Sequence, residues 1–263
     1  MFLLSGNMNP RLRPTRLGLL SLAWGLCGLT LLAQTNPARP LAAPVNDRNT
    51  LRQEPSKLRL EQFLNAMGGR EAWRKIKSVT VRATHYEPTL KEPYANAIFN
   101  DFTRPRVRFE ARSTEINRQR AINVDHGWRL RDGENLHMTP KQFEEDRAWW
   151  EANIYRTLVR LSNDDPDLTP TSIGERRLEI HRSDGRRLNW FELNAAGEPI
   201  RFGTYDNEDG TVFGPLASAG AVKYPRWGAN STGTFRYEVT EFLPSEDLPA
   251  VSFDKPAKAE SKP

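Results

Sequence analysis

Asp125 and His126 adjoin in the run Val124-Asp125-His126-Gly127-Trp128, where an acid stands next to an imidazole that it could orient for acid–base work. The remaining histidines, His85, His137 and His181, share no metal-ligand spacing with one another or with His126. No Gly-x-Ser-x-Gly elbow is present. Three acidic runs occur: Glu144-Glu145-Asp146, Asp164-Asp165-Pro166-Asp167 and Asp206-Asn207-Glu208-Asp209-Gly210. The last has the composition of a calcium loop but lacks the spaced ligands and closing Glu of an EF-hand. Gly68-Gly69 is not followed by the Lys-Ser/Thr of a phosphate loop and reads as a helix terminator. A turn accounts for His126, and solvated turns account for the acidic runs. The chain is therefore read as a non-enzyme with no catalytic residue, metal or cofactor.

Two residue types remain that could bind something. Arginines 104, 106, 108, 112, 118, 120, 129 and 131 alternate along strand-like segments and read as a solvated outer face or as a surface for anions such as lipid headgroups. Trp73, Trp128, Trp149, Trp150, Trp190 and Trp227 suit either an apolar cavity or an ordinary core.

The elements that must position these residues are mostly strands. Val79, Val81 and Ala83 alternate with Thr80, Arg82 and Thr84. Strand patterns also cover 95–103, 106–112, 119–124, 128–131, 173–181, 186–193, 199–205 and 234–243, with turn signals at Asp125-His126-Gly127 and Ser183-Asp184-Gly185. One helix is predicted from Ser56 to Gly68-Gly69. A second starts at the capping box Thr139-Pro140-Lys141-Gln142 and carries Phe143, Trp150, Ile154, Leu158 and Leu161 as one apolar stripe, ending at Asn163-Asp164-Asp165-Pro166. Eight to ten strands and two helices imply an α+β fold with one dominant antiparallel sheet, which must twist and curl. The long helix is expected against its concave side.

The first 33 residues predict export. Arg11, Arg13 and Arg16 precede an apolar run from Leu17 to Ala33, and no acid occurs before Asp47. The segment is read as a signal peptide cut after Ala33 or Ala43, or as an uncleaved N-terminal membrane anchor. The run is short for a bilayer core of roughly 30 Å. Cys27, the sole cysteine, lies inside it behind Leu26, which argues against lipidation. A chain exported without disulfides fits a bacterial periplasm or cell envelope, where ATP and NADH are absent. The net charge of +5 owes much to the three leading arginines, so nucleic acid is not an expected partner. Residues 34–55, with four prolines, read as a flexible linker, 56–256 as one domain and 257–263 as a disordered tail.

Residues 66–83 (AMGGREAWRKIKSVTVRA), the Val124-to-Trp128 strand–turn–strand, Lys223-Tyr224-Pro225-Arg226, Tyr237-Glu238-Val239, Leu248-Pro249 and Phe253-Asp254-Lys255-Pro256 form a pattern. It resembles the outer-membrane lipoprotein-sorting-like proteins of bacteria, related to the Lol-type (LolA/LolB-like) lipoprotein carriers. That resemblance implies a LolA-like, incomplete antiparallel β-barrel with covering helices and an apolar cavity. The chain departs from the pattern at His126, inserted in the turn before Trp128, and over 206–234, where small residues replace an aromatic-rich strand pair. The implied cavity has Phe99, Phe109, Trp128, Trp150, Ile154, Trp190, Phe235 and Tyr237 as candidate lining, and a lipid, acyl chain or acylated lipoprotein as partner. The protein is expected to be a monomer. The alternatives are an adaptor that docks a protein through its sheet and, last, a hydrolase built on His126 and Asp125.

Overall fold

Alternation of apolar and polar side chains produces β1 (Ser78–Tyr86), in which Val79, Val81, Ala83 and His85 are buried. The computed structural model describes residues 48–256. An antiparallel meander follows β1: β2 (Tyr94–Asp101), β3 (Arg106–Arg112), β4 (Asn117–Asn123), β5 (His126–Arg131) and β6 (Glu134–Leu136). After two helices come β7 (Leu168–Ile173), β8 (Arg177–Arg182), β9 (Arg187–Leu193), β10 (Pro199–Thr204) and β11 (Thr211–Phe213), again paired in succession. Strands β12 (Leu216–Ala219) and β13 (Val222–Pro225) form a separate ribbon. Strand β14 (Trp227–Asn230) and the long β15 (Arg236–Ser245) then join the two halves, because β15 pairs with β1.

The result is one 13-stranded antiparallel sheet, ordered β6-β5-β4-β3-β2-β1-β15-β14-β11-β10-β9-β8-β7, with two unpaired ends. This is the open antiparallel α+β architecture that the strand count implies. The segment expected as a single strand over 173–181 is instead the β7–β8 hairpin, turning at Gly174 with φ 59°.

Four helices lie on one side: α1 (Arg48–Ala66), α2 (Arg70–Arg74), α3 (Pro140–Glu151) and α4 (Ile154–Ser162). Helix α1 starts eight residues before the expected Ser56 and carries Pro55 inside it, so 48–55 is helical rather than part of a linker. Ser56 does not cap the helix; its hydroxyl accepts from Ser172 N at 2.9 Å. The α1–α2 turn needs glycine at position 68, where φ is 111° and a β-carbon would collide with Ala221 O. The expected signal or anchor (1–33), the linker residues 34–47 and the tail 257–263 lie outside the described residues.

The second predicted helix is two. Its capping box forms as expected. The helix then breaks at Ala152 and Asn153, because Asn153 takes an extended ψ of 131° and its side chain caps α4, accepting from Tyr155 N and Arg156 N. The apolar stripe runs on through the break, with Trp150, Ile154, Leu158 and Leu161 all buried.

This junction measures the curl of the sheet. The Trp150 indole donates to Asp101 O of β2 at 2.7 Å. The next residue, Glu151, accepts from Arg182 of β8 at 2.6 Å, and Ala152 O accepts from Asn189 of β9 at 3.1 Å. Strands β2 and β8 are seven ladder steps apart. A flat sheet would separate them by about 34 Å, beyond the reach of side chains on neighbouring residues. The sheet must therefore curve round the helices. Its main core joins Phe63, Leu64 and Met67 of α1, Trp73 of α2 and Leu158 of α4 to Val79, Ile180 and Phe191. Phe63 and Phe191 meet with ring centroids 4.5 Å apart.

Candidate functional site

Pairing register decides which residues of β1 to β5 share the helix side, since residues directly opposite in an antiparallel ladder project together. One row reads Tyr237, His85, Tyr94. The next reads Val239, Ala83, Asn96, Ala111, Arg118, Arg131. A third reads Phe242, Val81, Ile98, Phe109, Arg120, Arg129. The face thus changes from apolar at β1 to strongly cationic at β4 and β5.

Helix α3 covers the cationic part. Asp146 pairs with Arg120 at 3.0 Å. The Arg120 guanidinium lies 4.5 Å from the centroid of the Phe109 ring, and Trp149 meets that ring edge-on at 5.0 Å. Burial pushes the Asp146 carboxyl up, partly opposed by the charge of Arg120, and burial pulls Arg120 down. At the other end, His85 is enclosed by Tyr94, Phe235 and Tyr237, with centroids 5.1 to 5.6 Å away. Burial lowers its pKa to about 4. The Tyr94 hydroxyl lies 3.3 Å from His85 Nδ1 and donates to Glu87 at 2.6 Å; burial, then that bond, raise its pKa.

The eight predicted lining residues do not share this face. Phe109, Phe235 and Tyr237 project from the sheet on the helix side, and Trp150 and Ile154 belong to the helices that cover it. Phe99, Trp128 and Trp190 project from the opposite face. Phe99 pairs with Thr80 and Arg108, and Trp128 shares that side through Ala121. Trp190 packs under Arg177, 4.3 Å from the guanidinium carbon, and donates to Asn207 O. One continuous lining of all eight is therefore ruled out by the register.

The cause is an inversion in β4 and β5. There Ala121, Trp128 and Leu130 form a small cluster on the outer face, and of the apolar residues of these strands Ile122 keeps to the helix side. The chain after β15 crosses that face as a strap. Trp128 donates to Phe253 O at 2.8 Å, Arg108 donates to Ser252 O at 3.0 Å, and Phe253 is buried against Arg106. The arginines read as one solvated face consequently divide. Arg106, Arg108 and Arg112 point outward, whereas Arg118, Arg120, Arg129 and Arg131 point toward the helices. From the sequence Asp146 reads only as part of a solvated acidic run and Trp149 only as one of six tryptophans, and Asn96 is not singled out; helix α3 and the strand register bring the three to one face.

Asp125 and His126 are 3.0 Å apart in an exposed turn, with Asp254 of the strap 4.0 Å from the other ring nitrogen. Among the described residues, no group of three or more His, Cys, Asp or Glu is placed to hold a metal ion, and no helix is long and apolar enough to cross a membrane. Two surface grooves, of about 350 and 420 Å³, lie at the β1–β2 loop and beside Trp190. Neither is lined by residues of α3.

No family model and no curated protein matches the sequence. Among solved structures, similarity extends to a DUF1329 family protein from Desulfovibrio piger, at 8% identity and a TM-score of 0.37, covering 76% of this chain and 97% of that one. An outer membrane lipoprotein-sorting protein domain from Vibrio parahaemolyticus is similar at 8% identity and a TM-score of 0.32, over 73% and 95% of the two chains. MucB, in a Pseudomonas aeruginosa complex with MucA, follows at 14% identity and 0.21, over 73% and 58%. At these scores no residue role or function passes to this chain.

Proposed function

We propose that this is an exported, non-enzymatic protein of the bacterial envelope that takes up an acyl chain or another apolar molecule between α3 and the helix-side face of β2 to β5. The observation carrying this reading is the unequal anchoring of the two helices at the Ala152–Asn153 break. Helix α4 buries six of its nine residues, while α3 buries only Asp146 and Trp150 of twelve. A helix held so lightly can swing on the break and expose Phe109 and Trp149. Each CH₂ then covered contributes about 0.8 kcal/mol. The far half of the face, under α1, α2 and α4, is a packed core and has no part in binding. The leading arginines and apolar run support export, and the resemblance to lipoprotein-sorting-like proteins supports a lipid or acylated lipoprotein as partner.

Native mass spectrometry of the full chain, purified from the bacterial envelope fraction before and after organic extraction, tests the reading. Bound mass that extraction removes and that proves to be lipid supports it. A clean apo mass with no uptake of a fluorescent fatty acid rejects it. The adaptor reading would then stand, favoured by the sheet's open end at β6, whose three residues are all exposed.

A further inference from the structure

Arg118 stands directly opposite Arg131 across β4 and β5, and Arg120 directly opposite Arg129, all on the helix side. Such partners have Cβ atoms about 4.5–5.5 Å apart, and like charges placed so destabilise a sheet. Two of these pairs in succession concentrate four guanidiniums. Two carboxylates face them: Asp146, paired with Arg120, and Glu134, opposite Arg131 across the β5–β6 turn. Among the described residues, no carboxylate lies within ion-pair distance of Arg118, Arg129 or Arg131. These three guanidiniums are left without an ion pair, and the nearby carboxylate of Glu87 is engaged by the Tyr94 hydroxyl.

The surface beside them is low. Ala83 and Ala111 flank Asn96 in register, so small side chains adjoin Arg118, while Arg120 lies over Phe109. Asn96 is 7% exposed, and its Oδ1 has no hydrogen-bond partner. An amide with an unused end beside unpaired guanidiniums is a feature that no contact within the fold accounts for. Exchange of its two ends would present Nδ2 as a donor.

We propose that Arg118, Arg120 and Arg129, with Asn96, form a binding site for a phosphate group, carried by a lipid or free in solution. Guanidinium forks match phosphate oxygens, and donors from three strands, β2, β4 and β5, suit a tetrahedral anion better than a planar carboxylate. The proposal deepens the lipid reading and rests on it for access beneath α3, but the anion chemistry does not depend on the tail.

The test is calorimetric titration of the full chain with three probes: inorganic phosphate, dihexanoyl phosphatidic acid and neutral dihexanoylglycerol. The proteins are wild type, the double variant Arg118→Gln/Arg129→Gln, and Arg104→Gln, which alters an exposed turn. Phosphatidic acid should bind wild type and the turn variant alike, and the double variant roughly tenfold more weakly or worse. Phosphate should raise the melting temperature of wild type and leave that of the double variant unmoved. Equal affinity for phosphate and phosphatidic acid would keep the site and sink the lipid reading. Equal affinity for phosphatidic acid and dihexanoylglycerol would sink the site and keep the lipid reading. No phosphate-dependent binding or melting shift, or an equal loss in Arg104→Gln, would overturn the proposal.

Discussion

Arg120 and Asp146 are 3.0 Å apart and tie the middle of α3 to β4, while Glu151 and Arg182 tie its end to β8. The first pair joins a strand residue to a helix residue 26 positions later in the sequence, across the face proposed to bind ligand. Asp146 therefore holds α3 down and also occupies one of the guanidiniums available to an anion.

Replacing Asp146 by Asn should have two opposite effects. Stability should fall by about 1–3 kcal/mol, because Arg120 keeps a mostly buried charge with less compensation; partial exposure keeps the loss below that of a fully buried pair. Affinity for phosphate should rise, because Arg120 is released. Urea unfolding and phosphate titration of Asp146→Asn measure the two independently. A variant that loses both stability and affinity would mean that Asp146 shapes the site rather than competing within it.

Asn153 terminates α3 and starts α4 by capping the latter. Asn153→Ala should cost about 1 kcal/mol in stability. Since the cap also fixes the break, the same variant should change the rate of ligand uptake more than a surface substitution of equal stability cost. Stopped-flow uptake of a fluorescent fatty acid, compared between Asn153→Ala and such a control, provides the check.

Much of this architecture was legible because local pattern and tertiary environment agree. The alternation from Val79 to Ala83, the Ser183-Asp184-Gly185 hairpin, the Thr139 capping box and the Gly68-Gly69 stop all read correctly from a few neighbouring residues. Where they diverge, the sequence misleads. Arg118 and Arg120 alternate with Gln119 and Ala121 as any half-buried strand does, and nothing local reveals that the arginines face the helices. That depends on Phe253, some 130 residues later, covering Trp128 from the other side. The helix break was hidden for a related reason: the apolar spacing through Trp150, Ile154 and Leu158 continues across it. Strands β11 to β14 have three or four residues each and many small side chains, too little for a period to register.

The strap makes its own prediction. Phe253 is 4% exposed over a cluster of three buried residues and is the strap's buried apolar side chain, beside hydrogen bonds from Trp128, Arg108 and Asn123. Phe253→Ala should cost about 3 kcal/mol and release the strap, exposing Trp128 to water. A red shift in tryptophan emission that is absent in a Trp128→Phe background would locate the change. If emission is unmoved, the strap does not depend on Phe253.

His85 sets a pH dependence. Its folded pKa of about 4 lies below the ordinary imidazole value of about 6.5, because burial among Tyr94, Phe235 and Tyr237 disfavours the imidazolium. Below pH 6.5 the unfolded chain therefore binds a proton that the folded protein refuses, so stability must fall as the pH drops from about 6.5 toward 4. At pH 5 the loss from this one group should be about 2 kcal/mol relative to neutral pH. Other groups titrate in the same range, so the informative quantity is a difference between proteins. The stability lost between pH 7 and pH 5 should be smaller in His85→Gln than in wild type by about that amount. Equal losses in the two proteins would mean that His85 accepts its proton without leaving the aromatic enclosure, with Glu87 reaching it through Tyr94 to supply the counter-charge.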